Sequence, residues 1–140
     1  MLHRSRTNSV RTPPWLLEYI EAQWGPFFDP VPFKVDFDKH LDPDALKIPW
    51  KRVNYVNPPY SRPKFFVKKA AHLWRTEGKV SVVLLKTEVL GSKYFKTLCE
   101  GAELRFISKH LTFVGYSKPA PFASMLVIYD GKAPGSYSVL

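Results

Sequence analysis

Within this 140-residue chain, Asn57-Pro58-Pro59-Tyr60 is the stretch whose residue types could do chemistry without any nucleophile. It follows the β-branched and aromatic run Val53-Asn54-Tyr55-Val56 and leads into Ser61. Consecutive prolines hold φ near about −65° and bias the preceding residue toward extended backbone. They also remove two backbone donors, so the Asn57 side-chain oxygen and the Pro58 carbonyl can converge as acceptors beside the Tyr60 ring. Such a cluster suits a planar, amino-bearing ring that stacks on Tyr60 and donates both amino hydrogens. Two acceptors on an exocyclic amine draw its nitrogen toward a tetrahedral shape and aim its lone pair at an electrophilic methyl group. The help comes from positioning and electrostatics, so no Ser, Cys or His nucleophile is needed. A nucleobase held this way has left its stack, and an aromatic wall lowers that cost. The bland alternative is a Pro-rich strand-to-loop connection with an incidental Tyr.

Other short segments stand around this one in a fixed order. Thr12-Pro13-Pro14-Trp15 and Phe28-Asp29-Pro30 precede it, followed by Asp44-Ala45-Leu46 with Trp50. Leu84-Leu85-Lys86-Thr87, Leu111-Thr112-Phe113 and Pro121-Phe122-Ala123-Ser124-Met125-Leu126-Val127 come after. Over residues 11–130 this order resembles the amino-directed methyltransferases, in particular the small phage-type DNA N6-adenine methyltransferases. The resemblance implies a single-domain α/β fold, a minimal Rossmann-like class I methyltransferase with a mainly parallel sheet and an antiparallel end. It implies S-adenosyl-L-methionine (AdoMet) as cofactor and DNA as partner, with the target adenine flipped out. Asn57, Pro58, Pro59 and Tyr60 are then the catalytic set. Thr12, Pro13, Asp29 and Pro30 line the cofactor, and Asp44 is the acidic residue for its ribose hydroxyls or adenine amine. Arg62, Lys86, His110 and Lys118 are the expected nucleic-acid contacts; the family often carries an arginine where His110 stands. One departure is clear. The glycine-rich loop expected after Asp29 is replaced by Val31-Pro32-Phe33, whose side chains fill space that glycine leaves open.

Composition agrees with a nucleic-acid enzyme. The length is that of one ordinary domain, and 45% hydrophobic and 15% aromatic residues argue for a folded core. A formal charge of +9 favours a polyanionic partner, since basic surfaces neutralise phosphates and release counterions. Cys99 is the lone cysteine, which excludes a disulfide framework and fits a reducing compartment. It reads as a small core residue. Residues 1–11, with Arg4, Arg6 and Arg11, read as a flexible basic arm rather than a signal peptide, ahead of a methyltransferase domain over 12–140. No apolar run reaches transmembrane length, so no membrane partner is expected. The expected location is inside a cell, cytoplasm or nucleus, including the host cell of a virus or phage. His3, His40, His72, His110 and Cys99 lack zinc spacing, and no metal is expected. A homodimer or a partner subunit is compatible with this composition.

The elements that must position these residues follow from local signals. Thr12 offers an N-cap for a helix to Trp24, with Pro13 and Pro14 in the first turn and Gly25-Pro26 ending it. Phe27-Phe28-Asp29-Pro30 reads as a short strand with an acidic corner. Residues 34–50 are acidic and irregular, with Asp36, Asp38, Asp42 and Asp44. A helix is expected over 64–75, with Phe66, Val67, Ala70, Ala71, Leu73 and Trp74 on its apolar face. Lys64, Lys68, Lys69 and Arg75 lie elsewhere on it, and Gly78 closes it. Residues 79–85 form a continuous apolar run of the central-strand type. A short helix over 92–100 follows, then strands at 103–107, 108–113 and 125–129, with the loop 115–123 lying by the substrate face. Such a sheet hosts many activities, so function must rest on the site. Two alternatives to DNA-adenine methylation are a methyltransferase of an RNA base or protein glutamine amide, and a weakly catalytic nucleic-acid-binding subunit that needs a partner.

Overall fold

A computed structural model of the chain describes residues 10–33 and 44–140. Arg4 and Arg6 of the expected arm, and Asp36, Asp38 and Asp42 of the acidic stretch, lie outside the described residues. The architecture is α/β, one small domain built on a five-stranded mixed sheet. The strands are β1 (Val53–Val56), β2 (Val80–Lys86), β3 (Glu103–Phe106), β4 (Ser124–Tyr129) and β5 (Tyr137–Val139), in the order β1-β2-β4-β3-β5.

The layering follows from β2 and β4, which are apolar on both faces. Val82 and Leu84 join Leu126 and Ile128 on one side, while Val83 and Leu85 join Met125 and Val127 on the other. This period-two alternation gives the sheet two greasy faces, and each must be covered. Helix α1 (Pro14–Trp24) covers the first with Leu16 and Ile20. Helix α2 (Pro63–Glu77) covers the second with Phe66, Val67, Ala70 and Ala71. A short α3 (Lys93–Leu98) follows a single-turn 3-10 segment at Thr87–Gly91. At α1, Trp24 Nε1 donates to Asp130 Oδ2 at 2.9 Å, and the Arg105 guanidinium donates to the Tyr19 hydroxyl at 2.8 Å. These bonds tie the helix to the far strands.

Several expectations change. The sheet is mixed rather than mainly parallel with an antiparallel end. β1–β2 and β3–β5 are parallel, while β4 runs antiparallel between β2 and β3 in the sheet interior. All six β4 residues are buried, so this strand gains most from having neighbours on both edges. Residues 108–113 contain no strand, and the last strand is the exposed β5, which the sequence reading lacks. Phe28 contributes a single parallel bridge to Asn54 in place of a full strand. Pro13, not Thr12, is the N-cap residue of α1, and no side chain caps that end. Val10 is buried and Arg11 bridges Val114, so both belong to the folded body rather than to a loose arm. Lys69 does not face solvent with Lys64 and Lys68. Its ammonium donates to the carbonyls of Leu46 at 2.9 Å and Ile48 at 2.6 Å, fastening residues 44–50 onto α2.

Gly131, which follows β4, tests the packing of α2 on the sheet. Its φ is +72°, and a Cβ placed there would stand 2.5 Å from Trp74 Cζ2. Gly135 has a similar φ of +79° but open space around it. Gly131→Ala is expected to destabilise the domain by about 1–3 kcal/mol more than Gly135→Ala, because only the former adds overpacking to left-handed strain. Denaturant midpoints of the two variants give the comparison.

Candidate active site

β1, β2 and the Phe28 bridge are parallel neighbours, so Asn57, Lys86 and Asp29 leave the sheet at one common edge. β4 begins at that edge with Ser124 opposite Lys86. The segment 107–123 therefore arches over the carboxyl ends of the parallel strands, where open α/β sheets place their sites. A backbone bridge between Arg11 and Val114 closes the arch against the start of the chain.

The Asn57 amide is fixed by two bonds. Its Nδ2 donates to the Val10 carbonyl at 2.7 Å and to Thr12 Oγ1 at 3.2 Å. A carbonyl can only accept, so the nitrogen must face Val10, and the orientation of the amide follows from chemistry alone. Both amide hydrogens are spent inward. Oδ1 is the atom left for the cavity that Asn57 lines. Thr12 in turn sits 2.8 Å from the hydroxyl of Tyr55, a fully buried residue of β1. Burial pushes the Tyr55 phenol well above its ordinary range, and the nearby Asp29 carboxylate pushes the same way. Tyr55 thus keeps its proton and acts as a fixed hydrogen-bonding post.

A cavity of about 350 Å³ opens beside Asn57, walled by Pro58, Pro59, Tyr60, Pro63 and the β2 end, with Phe113 and Phe122 from the arch. Its size lies at the low end of the roughly 300–1,000 Å³ typical of small-molecule sites. Ser92 and Tyr94 add a polar corner, and burial raises the Tyr94 phenol. A second cavity of about 300 Å³ lies beyond, lined by Val10, Tyr116, Ala120 and Pro121. Tyr60, Lys86, Phe113 and Phe122 belong to both walls. Tyr60 and Phe122 meet edge to face, with centroids 6.0 Å apart and planes at 87°. The sequence reading puts Phe122 in the loop by the substrate face and Phe113 at the end of a strand, and gives neither a role. Their signal is aromatic residues on the connection between two strands that end at one sheet edge.

Other expected site residues have varied settings. Asp29 is half-buried, and its Oδ1 accepts the Val31 N–H at 2.9 Å. Desolvation pushes its carboxyl up to about 6 against that bond. Pro13 and Pro30 are buried, and neither cavity wall contains Thr12, Pro13, Asp29 or Pro30. Val31 and Phe33 occupy the loop where glycines are expected, and the Arg11 guanidinium lies 5.0 Å from the Phe33 ring centre. Asp44 Oδ1 accepts the Leu46 N–H at 2.9 Å and so caps the turn that Lys69 holds; it reaches neither cavity. Arg62 is exposed at the start of α2, 5.8 Å from the ring centre of the exposed Phe65. His110 is exposed and its Nδ1 donates to the Ala120 carbonyl at 2.8 Å, which closes the base of the arch. Lys118 is exposed on the arch.

The Thr12 hydroxyl accepts from Asn57 and pairs with Tyr55, so its loss leaves the buried Tyr55 hydroxyl without its partner and the half-buried Asn57 amide with only the Val10 carbonyl. Thr12→Val is expected to cost about 1–3 kcal/mol of stability, whereas Thr12→Ser keeps the hydroxyl and costs little. Chemical denaturation of both variants separates the hydroxyl from the methyl group.

Among the described residues no helix is long and apolar enough to cross a membrane. A search of curated proteins found no match to this chain. The sequence does match the family model of DNA N-6-adenine-methyltransferase (Dam), over residues 2–130. That span takes in the Asn57–Tyr60 loop, the parallel strand ends and the arch, and on this ground the chain belongs to the DNA N-6-adenine-methyltransferase (Dam) family, enzymes that methylate the N6 amine of adenine in DNA.

Proposed function

We propose that the cavity beside Asn57 is where this adenine-specific DNA methyltransferase holds its target base, flipped out of the duplex. The observation that carries the proposal is the pinned Asn57 amide, whose hydrogens are spent on Val10 and Thr12. Asn57 Oδ1 accepts one N6 hydrogen of the adenine. The Pro58 carbonyl accepts the other. Both acceptors are neutral and rigid, so they orient the nitrogen lone pair without reorganising. Tyr60 stacks on the purine face, and Phe113 and Phe122 exclude water from the other sides. Pro59 keeps the loop in the shape that aims these groups. Nothing in the fold or the family match favours the RNA-base, glutamine-amide or weakly catalytic alternatives.

The cofactor of this chemistry is AdoMet, which supplies a methyl group on a positively charged sulfur when bound. Asp29 fits a cationic, hydroxyl-bearing ligand: it is a desolvated carboxylate at the shared strand edge, with one oxygen uncommitted among the described residues. In this reading Asp29 holds the cofactor, with Pro13 and Pro30 shaping the apolar side of its site. Thr12 serves the cofactor site indirectly, by holding Asn57. Asp44 contributes through the turn it caps. The side chains of Val31 and Phe33 take the place of a glycine loop, so contact with the cofactor there is through side chains rather than close backbone.

The remaining expectations fit the same picture. The parallel β1–β2 pair joined through α2 supports a Rossmann-like class I fold, reduced in size and with an antiparallel strand inserted. Arg62 and Lys118, both exposed, meet DNA phosphates, and His110 supports the arch that carries Lys118. The folded body, Val10 and Arg11 included, is the methyltransferase domain, and the basic residues Arg4 and Arg6 ahead of it add nonspecific attraction to the polyanion.

Asn57→Ala is expected to lower kcat by about 100- to 1,000-fold, the scale of a lost oxyanion-type contact, with AdoMet binding retained. Tritiated-methyl transfer to adenine-containing DNA measures the first and calorimetry the second; near-normal turnover would overturn the assignment. Tyr60→Ala is expected to weaken capture of an extrahelical adenine by about 1–3 kcal/mol.

Asp29 makes a pH prediction. Its folded-state value of about 6 lies above the ordinary 3.8, so between these the folded protein holds a proton that the unfolded chain has released. Stability from this group therefore falls as pH rises through that window. AdoMet affinity should move the opposite way, strengthening as pH rises through about 6 and the carboxylate forms. Asp29→Asn should bind weakly at every pH and flatten that profile in calorimetric titrations.

A further inference from the structure

We propose that Lys86 is a placeholder for the target base, its ammonium filling the aromatic slot that adenine takes when it arrives. This rests on the reading of Tyr60 as the stacking surface. Lys86 Nζ lies 4.2 Å from the Tyr60 ring centre and 4.3 Å from that of Phe122. Both distances are within the reach of a cation–π attraction, and one ammonium serves two rings at once. The same three side chains belong to the walls of both cavities, so the ammonium and the two rings form the partition between them.

A flat base needs the Tyr60 face that the ammonium now occupies. Two aromatic faces left bare at the end of a sheet would either wet or collapse onto each other, and neither state suits rapid capture of a base. The lysine prevents both. It can also leave, because its backbone is fixed at the end of β2 while four methylenes let the head swing. Its other partner is loose: Glu88 Oε1 is 3.9 Å away and largely exposed. Stacking of a neutral purine on Tyr60 replaces the cation–π contact with one of similar strength, so the exchange needs little driving force. The expelled ammonium is then available to a DNA phosphate, which couples seating of the base to grip on the backbone.

The test uses 2-aminopurine riboside, a fluorescent adenine analogue that carries no phosphate, titrated with S-adenosylhomocysteine saturating the cofactor's own adenosine site. Lys86→Met removes the charge and keeps a flexible stem of similar bulk. It is expected to bind the nucleoside about 3- to 10-fold tighter than the unmodified enzyme, because no cation has to be displaced. Lys86→Arg keeps a cation over the rings and should bind no tighter than the parent. An adenine-containing oligonucleotide should bind Lys86→Met with a salt slope shallower by about one phosphate contact, whereas an abasic one, which expels no ammonium, should show the parent's slope. Unchanged or weaker nucleoside binding by Lys86→Met would overturn the proposal and leave Lys86 a plain DNA contact. Tyr60→Ala separates the two ideas: if it leaves nucleoside binding unaltered, the stacking assignment itself is at fault. If Tyr60→Ala weakens binding and Lys86→Met fails to strengthen it, only the placeholder falls. Thermal melting of each variant confirms that the fold is intact.

Discussion

Everything at this site hangs on which way one amide faces. Asn57 could present either its oxygen or its nitrogen to the cavity, and only the oxygen can receive the hydrogens of an adenine amine. The choice is made by Val10, whose carbonyl 2.7 Å away tolerates nothing but a donor, and it is reinforced by the Thr12 hydroxyl. Thr12 leans on Tyr55, which is buried in the middle of β1. The acceptor is therefore held from residues more than forty positions upstream in the chain, a separation printed into both bonds. The segment 10–12 gains its own place by pairing with the arch at Val114. Start of chain, first strand and arch are one mechanical unit.

Electrostatics divides the edge of the sheet into regions of opposite character. Asp29 brings a carboxylate to one parallel segment, and burial makes it costly to keep ionised alone. Lys86 brings an ammonium to the end of β2, where aromatic faces take the place of a strong counter-ion. Asn57, neutral, leaves the sheet between them. On the proposed reading, a cationic cofactor and a neutral base meet distinct surroundings only a strand apart. Arg105 illustrates the opposite use of charge: its guanidinium donates to Glu103 at 2.7 Å and to Tyr19 and Gln23 of α1, which holds that helix to the sheet.

Much of this could be read from residues. The apolar run of β2, the helical face of α2 and the strand leading into Asn57-Pro58-Pro59-Tyr60 are strong local patterns, and each forms where its pattern lies. Local pattern fails where a side chain has a choice of partners. Thr12 before two prolines looks like a helix cap, yet its hydroxyl serves the buried Tyr55 hydroxyl and the Asn57 amide. Asp44, expected as a ligand for hydroxyls, also caps its own turn through one carboxylate oxygen. Lys69 looks solvent-facing by helical spacing, but the carbonyls of Leu46 and Ile48 are waiting above it. Strand order is a further blind spot. Nothing in Ser124–Tyr129 announces that it will slide between β2 and β3, since apolarity predicts burial and not neighbours.

That insertion has a consequence for how the enzyme is made. During synthesis β2 emerges long before β4, and for that interval its inner edge has no strand to pair with. The ribosome must release residues beyond 129 before the sheet can close, and the same event delivers Phe122 and Ser124 to the cavity. A nascent or prematurely terminated chain therefore carries the full Asn57–Tyr60 loop and yet has no finished pocket around it. The finished cavity waits for β4 and the arch that precedes it.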